Sequence, residues 1–260
     1  MPPLVSFDGF VSDGLVQPII RISITSTKER IIKQPQSPNE LSLRNFVLDD
    51  ERAFLSDAIP IKPQRLMCEL PRMLLSNTQY FADTGASFAW AIHYLHPLER
   101  RAVNEARVRL GQCFHTCIEF ASMGWAIGNA IGSALVRKDQ PVVCITGDGS
   151  VLMSGQEISV AVQEKLPIIF VVLNDSSFGM VKHGQRLAHA EAIGTELPET
   201  DFVMLANALG AQGFKINSAD DLLQLDGKAL CQHPGPTVLD VRIDPEEVPP
   251  ILTRVKVLTQ

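Results

Sequence analysis

The chain lacks the features of several simple protein classes. Five cysteines among 260 residues are odd in number and scattered, which excludes a disulfide-stabilised scaffold. No apolar run approaches the roughly eighteen residues that a membrane-spanning helix needs. Basic residues are not in excess, because 23 lysines and arginines against 29 acidic residues give a net charge of −6. We therefore expect no general surface for nucleic acid or for an anionic membrane.

The N-terminus also lacks the basic and apolar regions of a signal peptide, so we expect a cytoplasmic protein. A content of 45% hydrophobic and 20% charged residues is that of a globular enzyme. Residues 1–57 differ from the rest: the segment 19–25 predicts a strand, and 33–40 is a polar linker with prolines. We expect 1–57 to be a remnant or extension, such as the tail of a central domain, and 58–260 to form the main domain with a C-terminal tail.

Apolar strands alternate with helices beyond residue 58. Strands are predicted at 78–83, 142–146, 168–173, 212–216 and 237–243, and helices at 63–75, 121–136, 154–165 and 202–209. Continuous apolar strands separated by helices are typical of parallel sheets. We predict an α/β fold with a doubly wound, mainly parallel sheet and helices on both faces. Small residues recur every three or four positions in 121–136, which predicts a buried helix that approaches another element closely.

Two of these strands end in polar loops that carry carboxylates. Gly147-Asp148-Gly149-Ser150 follows the strand at 142–146, and glycines with helix N-terminal amides can hold a phosphate there. Asp148 would repel that phosphate unless a cation such as Mg²⁺ or Ca²⁺ lies between them. Asp175 follows the next strand, and the carboxyl ends of adjacent parallel strands meet at one edge of a sheet. Taken singly, Asp148 and Asn174-Asp175 are ordinary cap residues, but the pair predicts a metal–phosphate site.

The stretch from Gly147 to Met180, GDGSVLMSGQEISVAVQEKLPIIFVVLNDSSFGM, resembles the thiamine-diphosphate motif. Residues 58–247 resemble the C-terminal cofactor-binding domain of the acetolactate synthase and 2-oxo-acid decarboxylase family. Other matching segments are Asp83-Thr84-Gly85 followed by Trp90, SMGWAIGNAIGSAL, TDFVMLANALGAQGFKI and GPTVLDVRIDPEEVPP. The family is therefore suspected from motifs that cover about three quarters of the chain.

The resemblance implies roles for individual residues. Asp148 and Asp175 would bind a divalent metal ion through their side chains, and Ser177 through its backbone carbonyl. Met123 matches the apolar residue that keeps the cofactor bent. The implied cofactor-binding set is Ser87, Met123, Gly147, Asp148, Gly149, Ser150, Asp175, Phe178, Gly179 and Met180, with Val181 at the active-site entrance. The implied cofactors are thiamine diphosphate and Mg²⁺.

Some positions depart from the family pattern. The second metal ligand is often asparagine where this chain has Asp175. Only Ser87, in the stretch after the Asp83 motif, offers a side-chain hydrogen bond to the diphosphate. Gly184 stands where acetolactate synthases usually have tryptophan. No catalytic residue can be assigned, because the activating glutamate of the family lies on a pyrimidine-binding domain and neither Glu119 nor Glu157 fits that role.

The expected function is that of the diphosphate-binding half of an acetolactate-synthase-like enzyme, decarboxylating and joining 2-oxo acids such as pyruvate. The small-molecule substrate is a 2-oxo acid, and a pyrimidine-binding domain on another chain is the expected partner, in a homo- or hetero-oligomer. Two alternatives are a subunit of a split 2-oxo-acid decarboxylase and a truncated, non-catalytic interaction module. The basic cluster Lys182, His183, Arg186 and His189 is either a solvated face or a lid that meets an anionic substrate.

Overall fold

The computed structural model describes residues 52–95 and 113–250. The predicted strand at 19–25 and the linker at 33–40 lie outside this range. Within it, no helix has both the length and the apolar character needed to cross a membrane.

The described residues form one sheet of six parallel strands, which confirms the predicted fold class. The strands are β1 (Gln79–Ala82), β2 (Phe114–Thr116), β3 (Val142–Gly147), β4 (Ile168–Asn174), β5 (Gln212–Ile216) and β6 (Thr237–Arg242). Their order across the sheet is β2-β1-β3-β4-β6-β5. The chain reverses direction across the sheet between β1 and β3, and ligands of open α/β sheets bind beyond the carboxyl ends of strands at such a point.

Helices cover both faces of the sheet. They are α1 (Pro63–Met73), α2 (Ala86–Tyr94), α3 (Trp125–Val136), α4 (Asp148–Ser154), α5 (Ile158–Gln163), α6 (Gly179–Leu187), α7 (Phe202–Leu209), α8 (Ala219–Leu223) and α9 (Gly227–Gln232), with short 3₁₀ turns at Arg52–Leu55 and Gly155–Glu157. One apolar core joins the sheet to α1, α2, α8 and α9, and a second joins it to α3, α5 and α7. The two cores explain why the strands are apolar on both faces.

The ends of α7 follow from local sequence. The Asp201 side chain accepts a hydrogen bond from the Met204 amide at 2.8 Å, which caps the first turn. Gly210 ends the helix with φ +87°, a left-handed conformation that glycine adopts without strain. The predicted limits of this helix are therefore confirmed.

The predicted close approach of the 121–136 helix to another element is found at Gly124, where a β-carbon would overlap the Ser154 side chain, but it is wrong for Gly128 and Gly132. The helix begins at Trp125, and a β-carbon added at Gly128 or Gly132 would meet no atom within 4 Å. The buried positions are Ala126, Ile127, Ala130, Ile131 and Ala134. These alanines and isoleucines form the face that packs on the sheet, so the glycines, spaced four apart, fall on the opposite, exposed side.

The helix predicted at 154–165 is observed as α5, which begins only at Ile158, and a separate helix precedes it. Helix α4 begins at Asp148, directly after β3, and a 3₁₀ turn separates it from α5. The amides of Gly149 and Ser150 therefore lie in the first helical turn, where backbone N–H groups have no partner within the helix.

Candidate active site

Asp148 and Asp175 lie at the carboxyl ends of neighbouring strands. Strands β3 and β4 pair in parallel, with Gly147 opposite Leu173, so Asp148 comes directly after the last pair and Asp175 two residues after it on the other strand. This confirms the expected adjacency of the two strand ends. The two acids are close enough for the charge of Asp175 to act on the pKa of Asp148.

Asp148 has one satisfied and one unsatisfied carboxylate oxygen. Its side chain is buried, and Oδ1 accepts a hydrogen bond of 2.7 Å from the Gly149 amide. Its Oδ2 atom is also buried but has no hydrogen-bond partner in the structure. A buried, unpaired carboxylate oxygen is costly in a folded protein and points to a missing ligand.

The second carboxylate lies in a tight loop after β4. Asp175 Oδ1 accepts a hydrogen bond of 3.1 Å from the Ser177 amide, and Ser176 between them has φ +54°. Asp175 Oδ2 lies 2.8 Å from where a β-carbon of residue 179 would be, so this approach requires Gly179. The Phe178 amide donates to the Thr195 carbonyl at 2.7 Å, which ties the loop to the segment that follows α6.

The site is electrostatically unfavourable without a cation. Burial, and then the charge of Asp175, raise the pKa of Asp148 to about 7, although backbone amides of Gly149, Ser177 and Ser176 act in the opposite direction. Burial also raises the pKa of Asp175, against the effect of hydrogen bonds from Ser177 and the charge of Lys182. Two carboxylates at neighbouring strand ends supply oxygen ligands of the kind that a hard divalent ion prefers. The residues present therefore fit a bridging Mg²⁺ ion.

Apolar side chains cover the first turn of α4. A β-carbon at Gly149 would lie 2.7 Å from a ring carbon of Phe178 and 3.0 Å from the Met123 methyl. Ser150 is buried in the same turn. The structure thus brings Met123, Gly149, Ser150 and Phe178 together at the end of β3.

The remaining implied residues lie around this centre. Ser87 is buried at the start of α2, and its Oγ is 3.8 Å from the β-carbon position of Gly147, although it donates to the Thr84 carbonyl. Met180 is half-buried and Val181 exposed in the first turn of α6. Neither Glu119 nor Glu157 is buried at this centre, since both are exposed.

Lys182, His183 and Arg186 of the basic cluster lie on α6, whereas His189 follows the end of the helix and is exposed. Lys182 donates to Glu246 at 3.0 Å and Arg186 donates to the same carboxylate at 2.7 Å, while His183 is buried. Burial, and then the charges of Lys182 and Arg186, lower the pKa of His183. Sequence reasoning missed Glu246 because it lies sixty residues from its partner Arg186, with no spacing signal to connect them.

Asp83 is a second residue whose role the sequence indicated only partly. Its position at the end of β1, before Thr84-Gly85, marked it as a motif residue. The structure shows a fully buried carboxylate that binds the start of α3 and the end of β3. A signal for this was available, because an acid at a buried strand end must find donors nearby.

We expect Gly149→Ala to destabilise the protein by about 1–3 kcal/mol, because the new methyl group overlaps Phe178 and Met123 and forces them to move. Gly128→Ala is the matched control, since its β-carbon meets open space in the middle of α3. That change should stabilise the protein by about 0.5–1 kcal/mol. Denaturant unfolding of both variants measures the difference, and equal effects would contradict the packing described here.

Comparison with known proteins agrees with this geometry. Residues 83–241 match the model of a family described as thiamine pyrophosphate enzyme, C-terminal TPP binding domain. A Mycobacterium tuberculosis protein named as an acetolactate synthase large subunit is 37% identical over 190 residues, which are 72% of this chain and 32% of that protein. The acetolactate synthase isozyme 3 large subunit of Escherichia coli is 31% identical over 194 residues, which are 72% of this chain and 31% of that protein.

A solved structure shares the fold. A thiamine diphosphate-dependent 4-hydroxybenzoylformate decarboxylase of Rhodococcus jostii RHA1 matches with a TM-score of 0.61 and 20% identity, over 73% of this chain and 34% of that one. The chain spans about a third of the length of these relatives. The family match covers every residue from Asp83 through β3 and β4 to Val241. The chain therefore belongs to the thiamine pyrophosphate enzymes, and contains their C-terminal TPP-binding domain.

Proposed function

We propose that this chain binds thiamine diphosphate through Mg²⁺ held by Asp148 and Asp175, as the diphosphate-binding half of an acetolactate-synthase-like enzyme. The observation that carries the proposal is the buried Oδ2 of Asp148, which has no hydrogen-bond partner and lies beside a second carboxylate. A metal ion there satisfies that oxygen and neutralises both charges.

Each residue of the site has a task in this proposal. Asp148, Asp175 and the Ser177 carbonyl hold Mg²⁺. The Ser150 amide and, once Asp148 turns to the ion, the Gly149 amide from which Asp148 Oδ1 now accepts a hydrogen bond would donate to the diphosphate. Gly147, Ser87, Phe178, Gly179 and Met180 line the remaining contact surface, and Met123 supports the bent cofactor. The bound cofactor supplies an electron sink for decarboxylation of a 2-oxo acid. The protein contributes anchoring, charge neutralisation and exclusion of water at the buried strand ends.

The proposed substrate is a 2-oxo acid of the pyruvate type, because the named relatives include acetolactate synthase large subunits. Within residues 52–95 and 113–250 we assign only the diphosphate side of an active site, since Glu119 and Glu157 are exposed and suit no activating role. We propose that a pyrimidine-binding domain on another chain completes the site, so the working enzyme is an oligomer.

A paired experiment tests this proposal. We expect calorimetry to detect thiamine diphosphate binding with Mg²⁺ and none with a chelator, because charge neutralisation by the ion is required. We expect the purified chain with both cofactors to consume no pyruvate. Turnover by the chain alone would contradict the half-site proposal. Failure to bind the cofactor would contradict the whole proposal and favour an interaction module.

A further inference from the structure

Asp83 is a buried carboxylate outside the proposed set of metal ligands and cofactor contacts. Its side chain is 0% exposed at the end of β1. Both of its oxygens are fully used: Oδ2 accepts from the Gly124 amide at 2.9 Å and the Thr146 hydroxyl at 3.0 Å. Oδ1 accepts from the Thr84 amide at 3.0 Å and the Ala126 amide at 3.4 Å. A buried charge with four donors is a strong local tether, since hydrogen bonds to ionised groups are the strong ones.

The four donors come from different parts of the fold. Gly124 and Ala126 flank the start of α3, and Thr146 lies two residues before Asp148 on β3. The carboxylate therefore fixes the turn before α3 against the strand end that carries the proposed metal ligand.

The turn held in this way carries Met123. Gly124 has φ +87°, and Ala121 at the other end of the turn has φ +50°, which costs energy for a residue with a side chain. Ser154 occupies the space where a β-carbon of Gly124 would lie, so the turn has little room to shift. Met123 reaches over Gly149, with its methyl 3.0 Å from that residue's β-carbon position. The place of Met123 above the site thus depends on the backbone that Asp83 binds.

We propose that Asp83 is a positioning residue, which places Met123 against the thiazolium part of the cofactor through its bond to the Gly124 amide. This inference rests on the proposed function, because it assumes that the cofactor lies over α4. Asp83 itself contacts neither the metal ion nor the cofactor in this proposal. Through Met123 it affects only the binding of the thiazolium ring, because other residues hold the diphosphate.

Two probes separate these roles. Inorganic pyrophosphate with Mg²⁺ meets only the strand-end anchor, whereas thiamine diphosphate with Mg²⁺ also meets Met123. In Asp83→Asn the amide group keeps the shape of the side chain but cannot accept at both positions. We expect thiamine diphosphate affinity to fall about tenfold, because a displaced Met123 loses most of its apolar contact with the cofactor. We expect pyrophosphate affinity to change less than about twofold, since the anchor residues remain in place.

A double-mutant cycle with Met123→Ala provides the second readout. Met123→Ala should show the same selective loss, and Asp83→Asn added to it should reduce thiamine diphosphate affinity little further, because both changes remove one contact. Ser133→Ala is the matched control, since it removes a 3.3 Å bond between α3 and Gln79 of β1 at the far end of the sheet. It should leave both affinities unchanged.

The outcomes distinguish this inference from the proposed function. Equal weakening of both probes in Asp83→Asn, or additive losses in the cycle, would overturn the positioning role. Absence of binding of either probe to the wild-type chain would instead contradict the proposed function. If Asp83→Asn does not fold, the same two probes are applied to Thr146→Val. This change removes the Thr146 hydroxyl, which donates to Asp83 Oδ2, the oxygen that also accepts from the Gly124 amide. We expect Thr146→Val to lose less thiamine diphosphate affinity than Asp83→Asn and to keep its pyrophosphate affinity. Equal loss for both probes, or no loss for either, would overturn the inference.

Discussion

Asp148→Asn is expected to lower the Mg²⁺-dependent affinity for thiamine diphosphate by at least about a hundredfold. Changes to groups that only support metal ligands already cost about 10–100-fold, so loss of a direct charged ligand costs at least the upper end of that range. Asparagine keeps the shape of the side chain, which separates the effect of charge from that of packing. Calorimetric titration with and without a chelator measures the change.

Asp139→Asn is the matched control for this prediction. Asp139 is an exposed aspartate in the loop before β3, and it undergoes the same change of charge. The affinity of the Asp139→Asn variant for thiamine diphosphate with Mg²⁺ should equal that of the wild type. Unchanged binding in Asp148→Asn would refute the assignment of the metal site, and an equal loss in Asp139→Asn would show a general effect of charge.

The same substitution is expected to stabilise the protein in the absence of ligands. Burial and the neighbouring Asp175 raise the pKa of Asp148 from 3.8 to about 7. Each unit of such a shift corresponds to about 1.4 kcal/mol, so keeping this carboxylate ionised costs the folded state on the order of 4 kcal/mol. Asp148→Asn removes that cost, and we expect a gain of about 2–4 kcal/mol in the free energy of unfolding near pH 8.

The direction of the pH dependence follows from the raised pKa. Below about pH 4 both the folded and the unfolded state hold the proton, and Asp148 adds no cost. As the pH rises towards 7 the unfolded state loses the proton first, so the metal-free wild type should lose stability over that window. Asp175, whose pKa is also raised, acts in the same direction. The variant should show a flatter profile, and a wild type as stable as the variant near pH 8 would contradict this.

Asp83→Asn provides the contrast for the stability measurement. Asp83 is as buried as Asp148, but its two oxygens accept four hydrogen bonds where Asp148 Oδ2 accepts none. The same chemical change should therefore lower stability at Asp83 by about 1–3 kcal/mol. We expect urea unfolding without Mg²⁺ to show a higher free energy of unfolding for Asp148→Asn and a lower one for Asp83→Asn. That result would show that a missing ligand, and not burial alone, distinguishes Asp148.

The main features of the fold and the site centre were predictable from sequence. Apolar runs at β3 and β4 predicted neighbouring parallel strands, and the spacing between Asp148 and Asp175 predicted that both acids meet at one edge. This works because one strand–helix–strand crossover in a parallel sheet has a narrow range of lengths and a fixed hand. Glycine positions in the Gly147–Ser150 loop were informative for a similar reason, since close approach leaves no room for a side chain.

Other features depend on contacts that sequence patterns do not report. The four-residue spacing of Gly128 and Gly132 shows that they share a side of α3, but the spacing cannot tell whether that side faces the sheet or solvent. Glu246 binds Lys182 and Arg186 across a long stretch of chain, and such pairs leave no local periodicity. The start of α4 at Asp148 was missed because aspartate is favoured both at caps and inside the first turn.

The acidic character of the chain is compatible with binding of a diphosphate. A protein of net charge −6 can hold a diphosphate if a metal ion and backbone amides supply the positive end of the interaction. In the proposed site, Asp148 and Asp175 would hold the ion beside the amides of α4. Lys182 and Arg186, the nearest basic groups on α6, are already paired with Glu246. In the proposed site, Mg²⁺ therefore supplies most of the positive charge that meets the diphosphate.

The most direct measurement is the position of a metal ion in crystals grown with thiamine diphosphate and Mn²⁺, which substitutes for Mg²⁺ and can be located by its anomalous scattering. We predict one strong peak about 2.0–2.4 Å from a side-chain oxygen of Asp148, from one of Asp175 and from the Ser177 carbonyl, with the diphosphate as a further ligand. A peak that contacts only one of the two aspartates, or a cofactor bound elsewhere with no metal between these strand ends, would contradict the proposed site.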